Sequence, residues 1–242
     1  MVQLPVAVMT VICAVLAVAG GGIGAGVSSG QSPSRIVPFS GASKWHDRRM
    51  TSSISESWTR IEVWLARHTP RTFAALGPPA ERSAIAVAEQ AIGQPFPEPL
   101  AESLLRHNGM GHYDLLPPFW SLLDVQSIIN AWQTRMKIYG DELAGAEEGD
   151  PDGEYGPWWH GQWIPFAFDG AGDYLIIDQR LYRRRGRIGK ADHEIGCSFS
   201  HHPMWASFPA LLDATATALE TGEAVDGYLP VAVDEDELDW DF

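Results

Sequence analysis

Trp163-Ile164-Pro165-Phe166-Ala167-Phe168-Asp169-Gly170-Ala171-Gly172-Asp173-Tyr174-Leu175-Ile176-Ile177-Asp178 is the stretch on which the fold turns. Trp163 to Phe168 reads as a strand, Asp169 to Asp173 as a turn, and Tyr174 to Asp178 as the returning strand. Aspartate gives a turn its side-chain acceptors and glycine its backbone freedom, so the pattern marks a hairpin. Beyond it, Arg180, Arg183, Arg184, Arg185 and Arg187 crowd the next turn, and a third strand is expected near Ile188. The arginines read either as a grip for an anion or as a solvated hairpin tip in acidic surroundings.

Working outward, the chain before this hairpin is helical. Ile54, Trp58, Ile61, Trp64 and Leu65 form one stripe of a helix that must stop near Pro70. A second helix follows Pro78-Pro79, carries Ile85, Ala88 and Ile92, and ends on Gly93. A third has Pro99 in its first turn, presents Leu100, Leu104 and Leu105, and closes at Asn108-Gly109. Tyr113 to Leu116 is expected as a short strand cut by Pro117-Pro118. Ser121 and Asp124 have the spacing of a capping box for a fourth helix. Its core stripe is Val125, Ile128, Ile129, Trp132, Met136 and Tyr139. Trp132 and Met136 are expected to pack rather than to seat a cofactor. After the strands, Ser207 N-caps a last helix with Phe208, Leu211, Leu212, Thr215 and Leu219 inward, ended by Gly222. Helices and strands in this order predict an α+β fold.

Charge and composition narrow the function classes. The 242 residues carry 17 Lys+Arg against 31 Asp+Glu, a net charge of −14. A phosphate-binding surface needs clustered basic residues, so nucleic acid is not an expected partner. The negative field suits a basic protein partner, although acidity also serves solubility alone. Hydrophobic content of 45% with 10 Trp is enough for a packed core. Cys13 and Cys197 give no disulfide framework and no cysteine zinc cluster, which fits a reducing, cytoplasmic setting.

The candidate partner-binding residues lie between the fourth helix and the hairpin. From Asp141 to Asp152 the chain is acidic, and a long loop of this kind is a candidate for function. It leads into Glu154-Tyr155-Gly156-Pro157-Trp158-Trp159-His160, where aromatics stand beside carboxylates as in binding hot spots. Glu147, Glu148, Asp150, Asp152, Trp158 and Trp159 are therefore expected to meet a protein partner. The alternative is that Trp158 and Trp159 cover a sheet edge.

Residues 1–49 differ in character from the rest of the chain. Leu4 to Ala19 is an apolar run, and a glycine-rich stretch extends to Gly30. Three readings stay open: a cleaved export signal, a membrane anchor, or an extension ahead of a true start at Met50. Membrane association or export through residues 1–30 is expected only if the segment is real. Gly26-Val27-Ser28-Ser29-Gly30 matches a nucleophile elbow and Gly20 to Ala25 a dinucleotide loop. Each needs a strand before it and a helix after it, and Gln31-Ser32-Pro33-Ser34 begins no helix. Residues 50–225 form the expected domain. Residues 226–242 form an expected acidic tail, mobile unless Trp240 and Phe242 dock.

No metal or cofactor is expected. His193-Glu194-Ile195-Gly196-Cys197 falls one histidine short of a zinc-protease helix. His107, His112, His201 and His202 have no matching ligand set, and Asp169 and Asp173 lack the glutamate a calcium loop requires.

Four features in order carry a resemblance. They are Ile85 to Gly93 with Phe96-Pro97; Leu104-Leu105-Arg106-His107-Asn108-Gly109; Trp163-Ile164-Pro165 with Asp169 to Asp178; and Ser207-Phe208. Together they resemble the SUKH superfamily, in particular the Smi/Knr branch named for a fungal cell-wall assembly regulator, over about Trp58 to Gly222. The resemblance implies a mostly antiparallel sheet packed against N-terminal, middle and C-terminal helices. It implies no catalytic residue, since bacterial relatives act largely as immunity proteins that neutralise a cognate toxin. A basic toxin domain is then the expected partner. Fungal relatives scaffold cell-wall signalling, which a genuine membrane leader would favour. A hydrolase is the third alternative.

Overall fold

The computed structural model describes residues 52–143, 153–199, 205–234 and 236–242. Helix α1, Ile54–His68, opens with a reciprocal capping box: Ser53 Oγ accepts the Glu56 N–H, and the Glu56 carboxylate accepts the Ser53 N–H. Pro70 does more than stop it, because it begins the short helix α2, Pro70–Ala74. Helices α3, Arg82–Ile92, and α4, Glu98–Arg106, follow as the sequence predicts, with Gly93 left-handed at the end of α3 and Pro99 in the first turn of α4.

The next two expectations need correction. Tyr113 to Leu116 is not a strand. The two prolines turn the chain, Leu116 pairs with Trp120 across that turn, and strand β1 is Ser121–Leu122 beyond it. Since Ser121 belongs to β1, it does not cap helix α5, Val125–Leu143; its hydroxyl donates to Asp114 Oδ1 at 2.8 Å. Asp124 is the cap, its Oδ1 accepting the Ser127 N–H at 2.7 Å. A second cap comes from far off in sequence, as Asn108 Oδ1 accepts the Val125 N–H at 2.9 Å. Gly109 makes this approach possible. Its φ is +72°, and a Cβ there would lie 2.5 Å from Asp124 N.

The main sheet is antiparallel throughout, in the order β1-β2-β3-β4-β5. Its remaining strands are β2, Trp163–Phe168; β3, Tyr174–Asp178; β4, Ile188–Asp192; and β5, Gly196–Ser198. The central hairpin is the predicted one. A bulge between Pro165 and Ala167 breaks the alternation of β2, so Phe166 and Ala167 both join the larger core.

Both faces of the sheet are covered. Ile164, Phe166, Leu175, Ile177 and Ile188 join α1, α3, α4 and helix α6, Phe208–Thr221, in the larger core. Trp163, Ile176, Ala191, Cys197 and Phe199 form a smaller one with Trp159, which Trp132, Met136 and Tyr139 of α5 pack against. Helix α6 has the predicted Ser207 cap and Gly222 end. Arg60 ties α1 to it through Asp213 and Glu220, each at 2.7 Å.

Residues 226–242 contain a hairpin of β6, Leu229–Val233, and β7, Glu237–Asp241. The alternation in β7 turns Leu238 and Trp240 into the larger core and leaves Asp239 and Asp241 outside. Thr72 Oγ1 accepts the Leu238 N–H at 2.9 Å, fastening the hairpin to α2. Among the described residues, no helix is long and apolar enough to cross a membrane; Leu4 to Ala19 lies outside them.

Candidate protein-binding surface

Helix α5 ends at Leu143, and the described chain resumes at Gly153. Glu147, Glu148, Asp150 and Asp152 lie outside the described residues. The returning chain is firmly held. Arg187 Nη1 donates to Gly153 O at 3.0 Å, the Phe199 N–H to Glu154 O at 2.7 Å, and the Gly156 N–H to Cys197 O at 2.9 Å. Glu154 to Gly156 thus extend the sheet along the outer edge of β5.

Trp158 and Trp159 then part company. Trp158 is 39% exposed and stacks on Tyr139 with ring centres 6.0 Å apart. Tyr155 and Ile195, both well exposed, add to the apolar surface around this edge. Trp159 is fully buried and meets Trp163 edge-to-face at 5.9 Å. It supports the surface from within and presents no face to a partner.

The arginine cluster divides in the same way. Arg180 and Arg187 are buried around the fully buried Asp178 carboxylate. The Tyr182 hydroxyl also donates to Asp178, and burial together with that carboxylate pushes the phenol up to about 12. Arg187 lies 3.6 Å from the centre of the Phe199 ring. These two arginines are structural, and Arg183, Arg184 and Arg185 are exposed at the turn.

Strand pairing also assembles a charged group that sequence spacing did not reveal. Asp173, Asp192 and His193 place ligand-type atoms within 4.8 Å of one another. Lys190 sits among them, with Nζ 2.7 Å from Asp173 and 3.0 Å from Asp192, so an ammonium already balances the carboxylates. Asp169 is occupied differently, since its Oδ1 accepts the N–H groups of Ala171, Gly172 and Asp173, which shapes the hairpin turn. His107 bridges Gly77 O and Glu62, and burial pushes the Cys197 thiol far up, away from a reactive thiolate.

A groove of about 280 Å³ opens on the side of β3 and β4 that carries Leu175 and Ile188. Phe119 on the proline turn, Trp205 ahead of α6, and Tyr228 line it, along with Asp169 and Asp226. Asp226 and Gly227 have φ of 55° and 89°, the left-handed pair of a tight hairpin turn that presents Tyr228. Phe119, Tyr228 and Phe242 form a ladder with ring centres 5.7 and 5.4 Å apart.

Residues 79–214 match the SMI1 / KNR4 family (SUKH-1), and the chain belongs to that family. The matched span runs from the start of α3 into α6 and contains the whole five-stranded sheet. No curated protein sequence matches the chain.

Proposed function

We propose that this chain is a non-catalytic protein-binding domain that neutralises a cognate toxin. Membership of the SMI1 / KNR4 family carries the reading, because the resemblance of its bacterial members implies an immunity role. The net charge of −14 supports a basic partner, since opposite fields speed encounter and fix orientation. The acidic residues Glu147, Glu148, Asp150 and Asp152 steer the approach, and Trp158 makes the apolar contact. Its half-exposed ring on a sheet edge resembles the aromatic anchors on which binding energy concentrates.

Co-expression with the toxin-like product of an adjacent gene tests this directly. Restored growth and a complex that co-purifies are expected. Continued killing with no complex formed rejects the reading.

A further inference from the structure

We propose that the outer face of the β6–β7 hairpin binds the turn from Leu181 to Arg185 of a second copy of this chain. The proposal is independent of toxin neutralisation and assigns a surface for self-association.

One half of the contact is the hairpin. Residues paired across an antiparallel ladder share a face. The pairs Leu229–Asp241, Val231–Asp239 and Val233–Glu237 therefore set an aliphatic row beside an acidic row. Leu238 and Trp240 fill the opposite face, toward the core. Leu229 and Val233 are each 41% exposed, so the aliphatic row is uncovered. Arg71 takes up Glu237 at 3.4 Å. Asp239 and Asp241 each accept the next residue's N–H on Oδ1, at 2.8 and 2.9 Å, and have no ion pair among the described residues. One peptide N–H on one oxygen leaves the second oxygen and the charge of a carboxylate in place.

The other half is the turn between β3 and β4. Its inner side is fixed, since Arg180, Tyr182 and Arg187 surround the buried Asp178 carboxylate and the Gly186 N–H donates to Asp178 O at 2.7 Å. The residues between those anchors face outward. Leu181 is 82% exposed, and Arg183, Arg184 and Arg185 are exposed beside it. Arg185 donates to Gln179 at 3.0 Å, whereas Arg183 and Arg184 have no ion pair among the described residues. A turn held in this way loses little freedom on docking.

The two halves match in chemistry. Leu181 suits the aliphatic row, and the neighbouring arginines can reach carboxylates about 5 Å to its side. Within one molecule no ion pair joins these arginines to Asp239 or Asp241, so a second copy supplies the complement. The hairpin also lies beyond the matched span 79–214, so the contact does not follow from the family fold. At a net charge of −14 copies repel at a distance, and association is expected only at high concentration.

The test is sedimentation equilibrium of the full chain over rising concentration. The weight-average mass should climb above that of one chain. Arg183→Glu with Arg184→Glu, and separately Asp239→Asn with Asp241→Asn, should each lower the association constant by about tenfold or more. Asparagine keeps the side-chain oxygen that accepts the next N–H, so the hairpin is retained. Arg67→Glu with Arg82→Glu makes an equal charge change at two other exposed sites and should weaken association far less. Mixed together, the turn variant and the hairpin variant should form a one-to-one complex, because each keeps the half that the other lacks. A chain that stays monomeric throughout, variants that associate like the parent, or defective variants that stay apart on mixing would overturn the proposal. Loss of toxin binding without loss of self-association in the Asp239–Asp241 variant would give the hairpin face to the toxin instead.

Discussion

Asp178 and Arg180 form a two-point ion pair inside the domain, with Arg180 Nε 3.0 Å from Oδ1 and Nη2 2.8 Å from Oδ2. Both are buried, and Tyr182 and Arg187 complete the shell. Removing one partner of such a group strands buried charge. Asp178→Ala is expected to lower stability by about 3–5 kcal/mol, read from urea unfolding. A loss under about 1 kcal/mol would show the network to be dispensable.

The start of α5 depends on two side chains from different places. Asp124→Ala and Asn108→Ala should each cost about 1 kcal/mol by removing an acceptor from the first turn. The double variant should show coupling, because both act on one helix end. Strict additivity in chemical denaturation would contradict the shared role.

Neighbouring tryptophans should separate stability from binding. Trp159→Ala removes a fully buried ring and should destabilise by about 3–5 kcal/mol. Trp158→Ala should change the unfolding midpoint little and raise the dissociation constant of the toxin complex by about tenfold or more. The reverse pattern would exclude Trp158 as the anchor.

Charge reversal of Glu147, Glu148, Asp150 and Asp152 should slow association and flatten its dependence on salt, with a smaller effect on dissociation. Stopped-flow mixing at several ionic strengths measures both. Unchanged association would remove these carboxylates from the encounter.

The Asp173–Lys190–Asp192–His193 group should make stability depend on pH at two ends. The hydrogen bond to Asp173 raises the His193 pKa above 6.5, so the protonated ring favours the folded state. That contribution is complete below the unfolded value of about 6.5 and is lost as pH rises through the higher folded one. Burial works against ionised Asp192, but the Glu194 and Ile195 N–H groups and Lys190 outweigh it and hold the carboxyl down to about 2. Its contribution is present above the ordinary value of 3.8 and is lost as pH falls towards 2. Urea midpoints across pH should lose the alkaline slope in His193→Ala and part of the acid slope in Asp192→Asn. An unaltered alkaline slope in His193→Ala would assign that titration to another group.

Much of the fold was legible because local chemistry and tertiary packing agree. The stripe from Trp58 to Leu65, Pro99 in its helix, the Asp169 turn and the Ser207 cap each behave as their residue types dictate. The failures lie where distant residues decide. Ser121 has capping spacing, yet pairing with Phe168 draws it into the sheet and leaves Asp124 to cap. In 226–242 the count of carboxylates hid a period-two signal, Leu238 and Trp240 between Asp239 and Asp241. Trp158 and Trp159 are chemically alike, and only the path of the chain over β5 makes one a surface residue and the other core. The charged group exists because Leu175 pairs with Lys190 across β3 and β4, a register no linear spacing encodes.

The clasp between the hairpin and α2 has a kinetic consequence. The Thr72–Leu238 hydrogen bond spans 166 residues, and the Arg60–Glu220 contact spans 160. Entropy must be surrendered across nearly the whole described chain before either contact forms. Refolding should therefore be slow for a chain of this size, with the β2–β3 hairpin assembling early and the meeting of the two ends last.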